Sequence, residues 1–120
     1  MGEKQKILIV DDQYGVRTLL KLALNKYNIK EAVNGQQALE IAATWMPDLI
    51  IIDMKMPGLT GIDTISRIQK LNIRSKVLLM TAYDDIPLQG ANISGFISKP
   101  FDIDVLIQLV ENILKENTNT

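Results

Sequence analysis

The sequence predicts an α/β fold, a doubly wound five-stranded parallel sheet with helices on both faces. Three observations carry this. Short, almost wholly apolar runs recur at Ile7–Val10, Leu49–Ile52 and Val77–Met80, as expected of strands covered on both sides. Stretches with helical spacing of apolar residues lie between them, and strand–helix alternation marks a parallel sheet. The runs also end in polar chemistry: Asp11 and Asp12, then Asp53, Thr81 and Lys99. In open α/β sheets ligands bind beyond the carboxyl ends of the strands.

The elements follow in order. Lys6–Asp11 is a continuous apolar strand. Val16, Leu19, Leu20, Ala23 and Leu24 follow helical spacing. A short strand at Ile29–Val33 precedes Asn34-Gly35, and Ala38, Leu39, Ile41 and Ala42 carry a helix to about Trp45. Pro47-Asp48 breaks it. Strand Leu49–Asp53 turns at Pro57-Gly58 into a helix bearing Ile62, Ile65 and Ile68. Strand Lys76–Thr81 follows. Asp84–Ser94 holds Pro87 and Gly90 and has room for roughly one or two helical turns. Strand Gly95–Ser98 ends at Lys99-Pro100. Asp102 caps a last helix with Leu106, Leu109, Val110 and Ile113 on its apolar face.

Composition narrows the function. A chain of 120 residues, 47% hydrophobic, reads as a single domain with its core at about residues 5–116. A net charge of −1 implies no bulk attraction to nucleic acid or anionic membrane. Cysteine is absent, which excludes disulfides and thiolate metal sites and suits the cytoplasm. Histidine is absent as well, which removes the commonest general base. The polar start Met1–Lys6 is no signal peptide, and no apolar run is long enough to span a membrane.

The acids define the chemistry. Two carboxylates about 4 Å apart repel by roughly 4 kcal/mol at an effective dielectric near 20, so a cluster shifts its pKa values or recruits a cation. Oxygen donors without His or Cys suit Mg²⁺, with Mn²⁺ able to substitute. A carboxylate such as Asp53 can accept a phosphoryl group, Lys99 can bind a phosphoryl oxygen as a point charge, and Thr81 can donate a hydrogen bond to another. Taken singly, Asp11-Asp12 fits a turn or helix cap equally well, Asp53 a cap, Thr81 a hydroxyl bonding to backbone, and Lys99 a solvated lysine. Their joint placement at four strand ends argues for a site.

Val10-Asp11-Asp12, Asp53-Met54-Lys55-Met56-Pro57-Gly58, Met80-Thr81-Ala82 and Lys99-Pro100-Phe101 together resemble the receiver domains of two-component response regulators, over almost the whole chain. Asp11-Asp12-Gln13-Tyr14-Gly15, Met80-Thr81-Ala82-Tyr83 and Lys99-Pro100-Phe101-Asp102-Ile103-Asp104 are similar to the stand-alone type that relays phosphate in the sporulation phosphorelay of bacilli. The resemblance implies a flavodoxin-like strand order 2-1-3-4-5. It implies that Asp53 accepts a phosphoryl group from a kinase phosphohistidine, and that Asp11, Asp12, Asp53 and the Lys55 carbonyl hold Mg²⁺. Thr81 and Lys99 would bind the phosphoryl oxygens, Thr81 and Phe96 would act as the switch pair, and Lys55 and Tyr83 would tune hydrolysis. Partners would be a sensor histidine kinase and a phosphotransferase protein, docking on Gln13, Tyr14, Gly15, Val16, Leu19, Tyr83, Pro100, Phe101 and Ile103. The protein would be a cytoplasmic monomer without an output domain, binding neither nucleic acid nor membrane.

Some features depart from or compete with this picture. Asp84–Ser94 is shorter than the family's fourth helix by roughly one turn. Phe96 stands where the relay type has a histidine. Val16 and Leu19 fit the core stripe of the first helix better than a docking face. Ile103, Ile107 and Leu114 form a second apolar line on the last helix, either deeply buried or a partner face. The alternatives are a receiver cut from a DNA-binding regulator, a Mg²⁺-dependent phosphohydrolase with Asp53 as nucleophile, and a nucleotide binder. Lys55 stands where such a hydrolase wants a second acid. The nucleotide binder lacks a Gly-rich loop after the first strand.

Overall fold

Backbone pairing follows the apolar runs. The computed structural model describes residues 4–71, 73–82 and 92–117. Within them the chain runs β1 (Lys6–Val10), α1 (Tyr14–Ala23), β2 (Asn28–Ala32), α2 (Gly35–Trp45), β3 (Leu49–Asp53), α3 (Gly61–Lys70), β4 (Lys76–Thr81), β5 (Gly95–Ser98) and α4 (Ile103–Asn117). The five strands pair in parallel in the order β2-β1-β3-β4-β5. The central strand β3 is buried at every position, whereas edge strand β2 is exposed at alternate ones. Strand β2 begins and ends one residue earlier than the apolar pattern suggests, since β1 pairs Lys6 with Asn28 and Val10 with Ala32.

Alternation along the strands splits the core into two layers. Ile7, Ile9, Leu49, Ile51, Leu78, Met80 and Ile97 face α1 and α4, where they meet Leu20, Leu24, Leu106, Val110 and Ile113. Leu8, Val10, Ile50, Ile52, Val77 and Leu79 face α2 and α3, where they meet Ala38, Ala42, Ile65 and Ile68. Leu114 is buried in the first layer and Ile103 and Ile107 pack against it, so the second apolar line of α4 is core. Leu19 is different: it is 47% exposed, while Val16 packs partly against the core. The stripe of α1 is therefore narrower than its sequence suggests.

Local chemistry sets the helix starts. The Asn34 side chain accepts from Gln37 N at 2.8 Å, and Gln37 reaches back to Val33 N at 2.9 Å. Thr60 Oγ1 accepts from Asp63 N at 3.1 Å, and Asp102 Oδ1 from Asp104 N at 2.8 Å. Gly58 takes φ 82 in the turn after β3, a conformation that favours glycine. Gly61 then lets α3 start against the backbone: a Cβ there would overlap the Asp53 carbonyl oxygen and crowd Met54 Cα. The predicted residues Tyr83 and Asp84–Ala91, with the short fourth helix expected there, lie outside the described residues. No helix among the described residues is long and apolar enough to cross a membrane.

Candidate functional site

Strand register assembles the polar residues. Val10 pairs with Ile52, so Asp11 and Asp53 leave adjacent strands at one level. Asp53 pairs with Met80, Met80 with Ile97, and Thr81 with Ser98, which brings Lys99 just beyond that level on the next strands. Asp11 and Asp53 continue the face that carries Ile9 and Ile51 below them. Lys99 follows Ile97 by two positions and reaches the same face. These residues are distant in sequence; Lys99 and Asp11 are separated by 88 positions.

Lys99 Nζ lies 2.9 Å from Asp11 Oδ2 and 3.3 Å from Asp53 Oδ2, bridging the two acids. The remaining oxygens face turn amides: Gln13 N donates to Asp11 Oδ1 at 2.8 Å and Lys55 N to Asp53 Oδ1 at 3.3 Å. Asp11 is fully buried, Asp53 nearly so, and Asp12 exposed. Thr81 is fully buried; its carbonyl accepts from Lys99 N and so sets the lysine's backbone. Burial pushes the Asp53 carboxyl above the usual carboxylate range; the Lys99 charge pulls it back, and Asp11 pushes it up again. Burial also works against the Lys99 ammonium, but its contacts with Asp11 and Asp53 outweigh this and raise its pKa.

One carboxylate oxygen each from Asp11, Asp12 and Asp53 lies within 4.8 Å of the others. Three carboxylate oxygens gathered this closely could be shared by one small divalent cation. The donors are hard oxygens, one of them solvent-facing, as suits an ion that keeps several waters. The residues present fit Mg²⁺.

Beside the acids runs a groove of about 520 Å³ lined by Val16, Leu19, Ala82, Lys99, Pro100 and Phe101. It brings together four of the expected docking residues from α1 and from the loop after β5. Tyr14 stands at the start of α1, 74% exposed, and Gln13 and Gly15 are exposed beside it. Ile103 instead packs partly against the core. Phe96 points outward from β5 at 47% exposure, and the Lys55 side chain is exposed. A groove of about 570 Å³ lies at the opposite edge of the sheet, lined by Gln69, Arg74, Lys76 and Asn92 among others, and contains no carboxylate among its described residues.

One residue of the site escaped the sequence reading. Arg17 Nη1 donates to the Asp11 carbonyl at 3.0 Å, and Arg17 Nε to Glu31 Oε1 at 3.0 Å. The sequence signal is a cation inside the apolar stretch of an amphipathic helix, but its hydrogen-bond partners lie just beyond β1 and on β2.

The comparisons with known proteins agree with this geometry. The sporulation initiation phosphotransferase F of Bacillus subtilis (strain 168) is 41% identical over 96% of this chain and 98% of its own length. The uncharacterized transcriptional regulatory protein YkoG of the same organism is 33% identical over 96% of this chain, which spans 53% of that relative. In fold, the signal receiver domain of an HD domain-containing protein from Pseudomonas fluorescens Pf-5 superposes with a TM-score of 0.90, covering 98% of this chain and 100% of that one at 24% identity. The family described as the response regulator receiver domain matches residues 7–111. With that match spanning nearly the whole sheet and both sides of the acidic site, the chain belongs to the response regulator receiver domain family.

Proposed function

We propose that this receiver accepts a phosphoryl group on Asp53 from the phosphohistidine of a sensor kinase, in a Mg²⁺-dependent reaction, and passes it to a phosphotransferase protein. The observation that carries the proposal is the Asp53 carboxylate, held at a strand end between the Lys99 ammonium and the Asp11–Asp12 acids. An Asp53 oxygen attacks phosphorus, the P–N bond to the donor imidazole breaks, and the electron pair leaves on that nitrogen. The product is an acyl phosphate. Mg²⁺ held by Asp11, Asp12, Asp53 and the Lys55 carbonyl would offset the charge of acids and phosphoryl group together.

Lys99 already touches Asp53 and would bind a transferred oxygen once the phosphoryl group separates them. Thr81 would supply a hydroxyl donor and Phe96 the aromatic of the switch; Lys55 would tune hydrolysis, together with Tyr83. The groove beside Lys99, with Tyr14 at its side, would dock the kinase and the phosphotransferase. The family consists of phosphoacceptor signalling domains rather than turnover enzymes. A cytoplasmic, stand-alone monomer in a sporulation-type relay is the reading supported by the likeness to phosphotransferase F. A second reading, a receiver segment of a longer transcriptional regulator, is supported by the relative of which the chain spans about half.

The test is intact-mass measurement after incubation with Mg²⁺ and acetyl phosphate, beside Asp53→Asn. A gain of one phosphoryl group in the parent and none in the variant is expected. Transfer onward to a phosphotransferase histidine then separates the relay from the regulator segment. No gain from acetyl phosphate or from a phosphorylated kinase refutes the proposal.

A further inference from the structure

We infer that Arg17, anchored by Glu31, is a positioning residue that holds the Asp11–Asp12 turn in its metal-binding geometry. This rests on the proposed Mg²⁺ site. Beyond β1, Asp11 N donates to Ala32 O at 3.2 Å, and no further ladder hydrogen bond to Asp11 or Asp12 is present among the described residues. The chain must reverse there from strand into α1, and the Gln13 side chain makes no cap at the start of that helix. Three contacts define the reversal: the Asp11 carboxylate on Gln13 N, Gln13 O on Arg17 N at 3.2 Å, and the Arg17 guanidinium on the Asp11 carbonyl.

The guanidinium is itself held. Glu31 comes from β2, where alternation turns it outward toward α1, and it grips Arg17 Nε at 3.0 Å and Lys21 Nζ at 2.9 Å. Tyr14 covers another side, its ring centroid 5.7 Å from Arg17 Cζ. The Arg17 side chain is only 12% exposed. A planar fork can serve a carbonyl and a carboxylate at once, which an ammonium on a flexible stem cannot do in the same geometry. Partners of this kind, one shell outside the ligands, commonly set metal affinity.

The test uses the full chain and calorimetric Mg²⁺ titration of the parent, Arg17→Lys, Glu31→Gln and Ile68→Val, with urea unfolding in parallel. Ile68 lies in the core layer on the other side of the sheet and reports the effect of lost stability alone. Arg17→Lys is expected to weaken Mg²⁺ binding about tenfold, at the low end for such partners because it holds a backbone carbonyl rather than a ligand atom. Glu31→Gln is expected to weaken it less, and Ile68→Val not at all. Gln13 amide exchange should quicken in both site variants. At saturating Mg²⁺ their phosphorylation rates should return toward the parent's.

Mg²⁺ affinity within twofold of the parent in both site variants overturns the inference and leaves Arg17 a packing residue. Should Arg17→Lys not fold, Glu31→Gln decides alone. Absence of Mg²⁺ binding in the parent overturns the underlying site and the inference with it, an outcome recognisable because the parent itself fails.

Discussion

The two edges of the sheet each carry aspartates, and they hold them differently. At the amino edge, Asp48 Oδ2 accepts from Lys6 N at 2.8 Å, its amide donates to Lys6 O at 2.9 Å, and its carbonyl accepts from Lys76 N at 2.9 Å. It stitches β1, β3 and β4 through backbone, which cannot leave. At the carboxyl edge, Asp11 and Asp53 each accept from one local turn amide but share a single counter-ion, the ammonium of Lys99, with the third acid exposed nearby. A side-chain counter-ion can swing away and be replaced by a metal ion or join a phosphoryl oxygen. Acids of the same type at strand ends thus differ in what neutralises them: a backbone amide for Asp48, a movable side-chain ammonium for Asp11 and Asp53.

Neutralising Asp53 and Asp48 in turn should separate the two edges most strongly. Asp53→Asn should abolish phosphoryl uptake measured by intact mass, whereas Asp48→Asn should leave uptake in place and lower stability by about 1 kcal/mol in urea unfolding. Without metal, Asp53→Asn should not destabilise. Its folded pKa is raised, so its contribution is favourable at low pH and lost as pH rises through that value, and an amide escapes this penalty.

Next in size is the counter-ion. Lys99→Met leaves two acids facing each other and should cost about 1–3 kcal/mol in chelator, less than for a fully buried pair because Lys99 is part-exposed. Millimolar Mg²⁺ should restore much of the loss, and should restore none in Asp48→Asn. Equal rescue in both would erase the distinction between the edges.

Gly61→Ala probes the backbone under the acid. The added methyl collides with the Asp53 carbonyl, a rigid neighbour, and should cost about 1–3 kcal/mol while slowing phosphorylation. The smallest effect is expected at Glu31. Its hydrogen bond from Lys21 holds its pKa below the usual range against the opposing effect of burial, helped by Arg17. A lowered folded pKa means stability present above the unfolded value and lost as pH falls through the folded one. Glu31→Gln should therefore cost about 0.5 kcal/mol near pH 7, and the gap should close in acid.

Much of this was legible in the chain itself. The limits of β3, β4 and β5 fall where the apolar runs end, because strands buried on both faces leave little choice of register. Strand β2 was displaced by one residue, since an edge strand with alternating exposure carries a weaker pattern. The acids, Thr81 and Lys99 were legible because each ends a strand, and strand ends in this fold share an edge. Leu19, which helical spacing places in the core stripe and the family resemblance on the docking face, is exposed, because whether a helix residue is covered depends on its neighbours. Here these are Pro100 and Phe101, which border the groove rather than fill it. Arg17 carries no signal of its partners, because the two oxygens its guanidinium hydrogen-bonds lie outside its own helix.

Hydrophobic period and strand-end polarity are local properties, so the chain alone carries most element limits, the parallel sheet and the residue types at its carboxyl edge, while the strand order came with the family resemblance. Which charge answers which is set by the folded arrangement. The bridge of Lys99 across Asp11 and Asp53, and the hold of Arg17 and Glu31 on the turn between β1 and α1, depend on distances between residues that the chain keeps far apart. Electrostatic and hydrogen-bond energies fall steeply with such distances, so no pattern along the chain could fix them.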